Sequence, residues 1–199
     1  LLSNLIVLHH SKNKGKGKAI KTGLLQIKKE INFVVTADSD GQHAPDDILK
    51  VLIKCITLNK YVLGSRNFSS SGVPFKSSLG NRLTSILFYL STGKKIEDTQ
   101  TGLRGIPQKY FDLFLEISGD RYEYEFNALL EATKSDIVST IPIDTIYFDN
   151  NKRSNFRPIR DSFLIYFLFL RYFFVAFCIS IVDLVAIYVA TVIFPVTYS

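Results

Sequence analysis

The residues best able to do chemistry lie in one run, Thr36-Ala37-Asp38-Ser39-Asp40-Gly41-Gln42-His43. Two carboxylates one residue apart, followed by a glycine, can converge on a hard divalent cation. Mg²⁺ takes one or two carboxylates and fills its shell with water and substrate phosphates. Gln42 can add a carbonyl oxygen, whereas His43 offers nitrogen, which Mg²⁺ disfavours, so His43 reads as a structural neighbour. Asp and Gly are also ordinary turn residues, and the run taken alone reads more readily as an acidic turn with a helix cap.

The segment Asn13-Lys14-Gly15-Lys16-Gly17-Lys18-Ala19-Ile20 suggests phosphate chemistry. It is not a P-loop: counting from Gly15, the second required glycine falls on Ile20, whose branched side chain blocks close phosphate approach. A glycine-rich turn opening a basic helix still favours a phosphate-bearing ligand, although a solvated lysine face explains most of these lysines. Four further segments are bland alone: Gly64-Ser65-Arg66, Asp98-Thr99-Gln100-Thr101-Gly102, Tyr122-Glu123-Tyr124-Glu125, and the arginine-rich 151–158 stretch with Arg153, Ser154 and Arg157.

Taken in chain order, from Asn13-Lys14-Gly15-Lys16-Gly17 onward, the six segments resemble the family-two inverting glycosyltransferases of GT-A fold, and most nearly the polyprenyl-phosphate sugar synthases. The resemblance runs from about Asn4 to Asp161. It implies that Asp38, Asp40 and Gln42 hold Mg²⁺ or Mn²⁺, with Lys16, Lys18 and Arg153 on the donor diphosphate. It places Arg66, Arg82, Arg104, Arg153, Ser154 and Arg157 on the acceptor phosphate, Asp98 near the sugar as a catalytic residue beside Asp38 and Asp40, and Glu125 in the lining. The implied partners are a nucleotide sugar of the UDP-glucose or GDP-mannose class and a polyprenyl phosphate. A polysaccharide acceptor and a non-catalytic membrane subunit remain open. The P-x-Y-N-E and D-D-G-S motifs that open such enzymes are missing, as is any methionine, so the expected fold is an α/β GT-A domain lacking its first strands.

The elements that must position these residues alternate between the two regular types. Asn4–His9 and Phe33–Ala37 read as buried strands, Lys18–Glu30 and Pro45–Leu58 as helices, and Tyr61–Gly64 as a short strand. In Pro45–Leu58 the apolar positions 48, 49, 52, 53 and 56 form one face, and Asp46 and Asp47 suit the first turn. Leu79, Leu83, Ile86, Leu87 and Leu90 mark another helix face, Tyr124–Ala132 a further helix, and Ile137–Tyr147 an extended segment. Alternating strands and helices predict a mainly parallel, Rossmann-like sheet.

The 199 residues carry a net charge of +6 and are 47% hydrophobic and 21% charged, which excludes long disorder and a disulfide scaffold. Seven lysines and no acid fall within residues 12–29. The basic clusters suit phosphate-bearing partners or an anionic membrane surface. No nucleic-acid motif accompanies them, so nucleic acid is not an expected partner. Cys55 and Cys178 have no C-x-x-C partner and read as reduced thiols.

Hydrophobicity changes near residue 162. Tyr172–Phe194 would be about 34 Å long as a helix, enough to cross a bilayer. Asp183 opposes insertion by about 2.5–3.5 kcal/mol, but fourteen Leu, Ile, Val and Phe residues supply roughly −4 to −8 kcal/mol, so insertion wins. Asp183 would then face a partner helix. The expected organisation is a catalytic domain over 1–157, an interfacial basic helix over 158–171, and a span over 172–199 that begins a GtrA-like membrane domain. The flanking arginines put the catalytic domain in the cytoplasm.

Overall fold

A computed structural model describes residues 5–66, 75–144 and 158–193. The chain divides into two units, Leu1–Phe156 and Arg157–Ser199. The first unit orders its elements as α1 (Lys16–Ile27), β1 (Phe33–Thr36), α2 (Pro45–Leu58), β2 (Tyr61–Arg66), α3 (Phe75–Thr92), β3 (Arg104–Pro107), a 3₁₀ turn (Gln108–Tyr110), α4 (Phe111–Glu116), α5 (Glu123–Lys134) and β4 (Val138–Ile143).

The four strands form one mixed sheet in the order β1-β3-β2-β4. β3 is antiparallel to both β1 and β2, whereas β2 and β4 are parallel. Strands β1, β2 and β4 therefore point the same way, as the expected parallel sheet requires, and β3 alone is reversed. The carboxyl ends of β1 and β2, the amino end of β3 and the loop before it meet at one rim. Thr36 is paired with Arg104 there, and the Gly64 N–H donates to Leu103 O at 2.9 Å.

α2 forms where the sequence places it. Pro45 fits the first turn, where its missing N–H is no loss, Asp46 and Asp47 face the positive helix end, and Asn59 ends it in the left-handed conformation at φ 50°. Its buried line is Asp47, Val51 and Cys55, packed on Val62, Leu103 and Ile143. Leu49, Ile53 and Ile56 of the expected face are exposed, because the sheet takes the stripe one position round the helix. Burial pushes the Cys55 thiol up to about 11, so it is no nucleophile at neutral pH.

Two other expectations need correction. Residues 5–10 form no strand, and Leu5 to Leu8 are exposed; among the described residues no neighbouring strand offers them a ladder. On α3, Ile86 and Leu90 face solvent, and the inward line is Asn81, Thr84 and Phe88. β3 and α4 lie in a stretch for which the sequence pattern predicted no element.

Among the described residues the second unit holds one helix, α6 (Pro158–Ile193), of 36 residues. Within it Phe173–Ile193 has a mean hydropathy of 2.5 and no buried share, and is long and apolar enough to cross a membrane.

Candidate active site

The site is assembled at the rim where β1 ends. Asp38 lies two residues past the end of β1. A Cβ on Gly102 would lie 2.2 Å from Asp38 Oδ2, so only glycine lets this carboxylate lie against the loop before β3. Lys16, at the start of α1, places Nζ 2.6 Å from Asp38 Oδ1 and 2.8 Å from Glu125 Oε2, bridging the β1 loop and the first turn of α5. His43 Nε2 stands 3.9 Å from Asp38 Oδ2, and its buried Nδ1 has no hydrogen-bond partner among the described residues.

Charge holds this group ionised. Burial works against the Asp38 carboxylate, but His43 and Lys16 outweigh it and hold the carboxyl well below its ordinary range. Burial likewise works against the Lys16 ammonium, and Glu125 and Asp38 outweigh it, so its pKa is raised. Asp40 lies two residues on; its Oδ1 accepts the Gln42 backbone N–H at 3.0 Å, closing an Asx turn around Gly41.

A second ion pair flanks the first. Arg66, at the end of β2, donates to Asp98 Oδ2 from Nε at 2.6 Å and to Oδ1 from Nη2 at 2.9 Å, and its backbone N–H also reaches Oδ2 at 3.1 Å. The Asp98 side chain has no exposed surface. The inward polar line of α3 holds the Asp98 loop: Asn81 donates to Glu97 O at 2.5 Å and accepts the Thr99 N–H at 3.2 Å, and Thr99 Oγ1 donates to Thr84 Oγ1 at 3.0 Å.

Arg104 lies behind both groups, with 3% of its surface exposed. It donates to Tyr61 Oη and Glu125 O at 2.7 Å each and to Thr101 O at 2.8 Å. Its Nε is 3.7 Å from Glu125 Oε1, an oxygen with no hydrogen-bond partner among the described residues.

The structure thus brings Lys16, Asp38, Asp40, Gln42, Arg66, Asp98, Arg104 and Glu125 to one rim. Two of them are held by partners within the domain. Asp98 is enclosed by Arg66 and the Gln100 N–H. Arg104 is engaged by Thr101, Tyr61 and Glu125. Arg82 is exposed on α3, and Lys18 donates its backbone N–H to Asp120 O at 3.0 Å. Arg153, Ser154 and Arg157 lie outside the described residues. The sequence reading missed Asn81, Thr84 and Tyr61; a small polar pair on an otherwise apolar helix face was the available signal for the first two.

Asp38, Asp40 and Gln42 offer only oxygen, which suits Mg²⁺ or Mn²⁺. No three His, Cys, Asp or Glu side chains converge on a metal-sized point among the described residues. The Lys16 ammonium stands where positive charge is wanted, between two carboxylates. The residues present therefore fit a divalent cation, with Lys16 as its present stand-in.

Comparison with known proteins gives the family. Residues 1–114 match the model of glycosyl transferase family 2. A UDP-N-acetylglucosamine–dolichyl-phosphate N-acetylglucosaminyltransferase of Methanococcus voltae is 37% identical over 150 residues, covering 72% of this chain and 60% of the relative. An uncharacterized protein of Methanocaldococcus jannaschii is 32% identical over 153 residues, covering 72% of this chain and 62% of the relative. The chain spans about 60% of the length of these curated relatives. With more than half of its length matched and a mixed sheet that gathers its acidic loops at one rim, the chain belongs to glycosyl transferase family 2.

Proposed function

We propose that this chain is the core of an inverting glycosyltransferase. It would move a sugar from a nucleotide diphosphate sugar to a polyprenyl phosphate at the cytoplasmic face of a membrane. The observation that carries this reading is the rim cluster Lys16–Asp38–Glu125 beside Arg66–Asp98, in a family-two domain whose chain continues into a helix of membrane-crossing length. The relative's dolichyl-phosphate acceptor supports the lipid phosphate, and its donor makes UDP-N-acetylglucosamine the first to try, ahead of UDP-glucose and GDP-mannose. Asp183, on α6, would face another membrane helix.

The chemistry needs no catalytic base. A phosphomonoester has a second pKa near 6, so about nine in ten lipid phosphates are dianionic at pH 7. One of its oxygens attacks the anomeric carbon from the face opposite the leaving group. The new carbon–oxygen bond forms as the bond to the nucleoside diphosphate breaks, and the electron pair leaves with the diphosphate.

The protein's work is alignment and charge. Arg66, fixed by Asp98, presents a rigid guanidinium edge suited to a phosphate oxygen. Lys16 has the reach to contact the donor diphosphate, and the buried Glu125 helps hold that lysine at the rim. Asp38, Asp40 and Gln42 would hold the Mg²⁺ or Mn²⁺ ion, which when bound offsets charge on the leaving diphosphate.

The test is transfer of radiolabel from UDP-N-acetylglucosamine to dolichyl or undecaprenyl phosphate by membranes carrying the protein, with and without EDTA. Label should enter the organic phase and be lost with EDTA. Absence of organic-phase label with all three donors, from folded protein, would contradict the reading.

A further inference from the structure

We propose that Lys16 is a tethered competitor of the divalent cation at Asp38, and that a nucleotide diphosphate relieves this competition by drawing Lys16 onto its phosphates. Metal and nucleotide would then bind cooperatively, each weakly alone. The inference rests on the metal and donor reading given above.

The geometry separates a fixed backbone from a movable side chain. A Cβ on Gly17 would lie 2.4 Å from Tyr124 Cβ, and the Lys18 N–H donates to Asp120 O at 3.0 Å. Lys21 Nζ donates to Gly119 O at 2.9 Å in the same turn. The first turn of α1 is thereby fastened to the start of α5. The Lys16 side chain has a flexible four-carbon stem, is 25% exposed, and ends on two carboxylates from two other elements.

The charge balance gives the coupling its sign. At the rim Asp38, Asp40, Glu125 and Asp98 face Lys16, Arg104 and Arg66, four negative groups against three positive. A divalent cation reaching Asp38 meets an ammonium already 2.6 Å from its oxygen, and like charges at contact repel. A diphosphate brings several anionic oxygens, giving the ammonium a new partner and leaving Asp38 to the metal. Arg66 cannot play this part, because its bidentate contact holds it to Asp98. Arg104 cannot, because it is buried.

Mn²⁺ binding to the full chain in detergent, read by electron paramagnetic resonance with and without UDP, tests this directly. Wild-type protein should bind Mn²⁺ alone weakly and at least about tenfold more tightly with UDP. Lys16→Met should bind Mn²⁺ alone about tenfold more tightly than wild type, and UDP should add much less. Lys16→Arg, which keeps the charge, should stay as weak as wild type. If Lys16→Met binds Mn²⁺ no more tightly than wild type, while UDP still enhances binding to wild type, the competition is wrong and the metal reading stands. If no form binds Mn²⁺ even with UDP, the metal reading falls and takes this inference with it. Should Lys16→Met fail to fold, acetylation of wild-type lysines followed by mass spectrometry replaces it. Saturating Mn²⁺ alone should raise Lys16 labelling several-fold relative to Lys134, and unchanged labelling would overturn the proposal.

Discussion

Two ion-pair groups stand side by side at the rim of the sheet, and they are built differently. Arg66 and Asp98 meet through two side-chain bonds and a backbone bond, and the acid has no exposed surface. Lys16 meets Asp38 and Glu125 through one ammonium; a quarter of the lysine side chain and a third of that of Asp38 are exposed. A planar fork on a buried carboxylate is a fixture, since breaking it strands a charge away from water. A point charge on a flexible stem, open to solvent, can exchange partners at small cost. Similar charge chemistry thus serves permanence in one place and exchange in the other.

The largest effect should come from breaking the fixture. Asp98→Ala leaves Arg66 without its buried partner and should cost about 3–5 kcal/mol in a urea titration; a loss below about 1 kcal/mol would place Asp98 among ordinary surface acids. Asp40→Ala should lower sugar transfer about 10²–10³-fold, the scale of one lost charge-stabilising group, while its urea midpoint reports a cost of about 1 kcal/mol from the broken Asx turn. Wild-type turnover in this variant would remove Asp40 from the site.

Gly102→Ala forces a methyl into Asp38 and should cost about 1–3 kcal/mol while loosening Lys16, read as a rise in Lys16 acetylation. The smallest effect belongs to pH. Asp38 has a lowered pKa in the folded chain, so its stabilisation is present above its ordinary value of 3.8 and fades as pH falls toward the folded value. Lys16 has a raised pKa, so its share is present below 10.5 and fades above it. The advantage of wild type over Asp38→Asn should be flat across neutral pH, shrink below about pH 4, and stay under about 1 kcal/mol because water screens the pair.

How far the sequence could be read depends on how local the determining physics is. α2 carries its own start and stop in Pro45, Asp46, Asp47 and Asn59, and its bounds agree residue for residue. The acidic loop after β1 was legible for the same reason. β3 was not: Arg-Gly-Ile-Pro has no strand pattern, and it is a strand only because β1 and β2 supply partners on both sides. Residues 5–10 show the converse, an apolar run with strand character and no ladder among the described residues. The partners of Asp98 and Arg104 were not legible because each lies far away in the chain, Arg66 for one and Tyr61 with Glu125 for the other. Lys16 was assigned to the donor by the family resemblance; its two carboxylates became visible only in three dimensions.

The most direct test is a structure of the full chain with Mn²⁺ and UDP bound. Lys16 Nζ should leave Asp38 for the diphosphate, with Mn²⁺ taking its place on the carboxylate, while Arg66 and Asp98 keep their paired bonds. Mn²⁺ and UDP bound with Lys16 still between Asp38 and Glu125 would contradict this exchange.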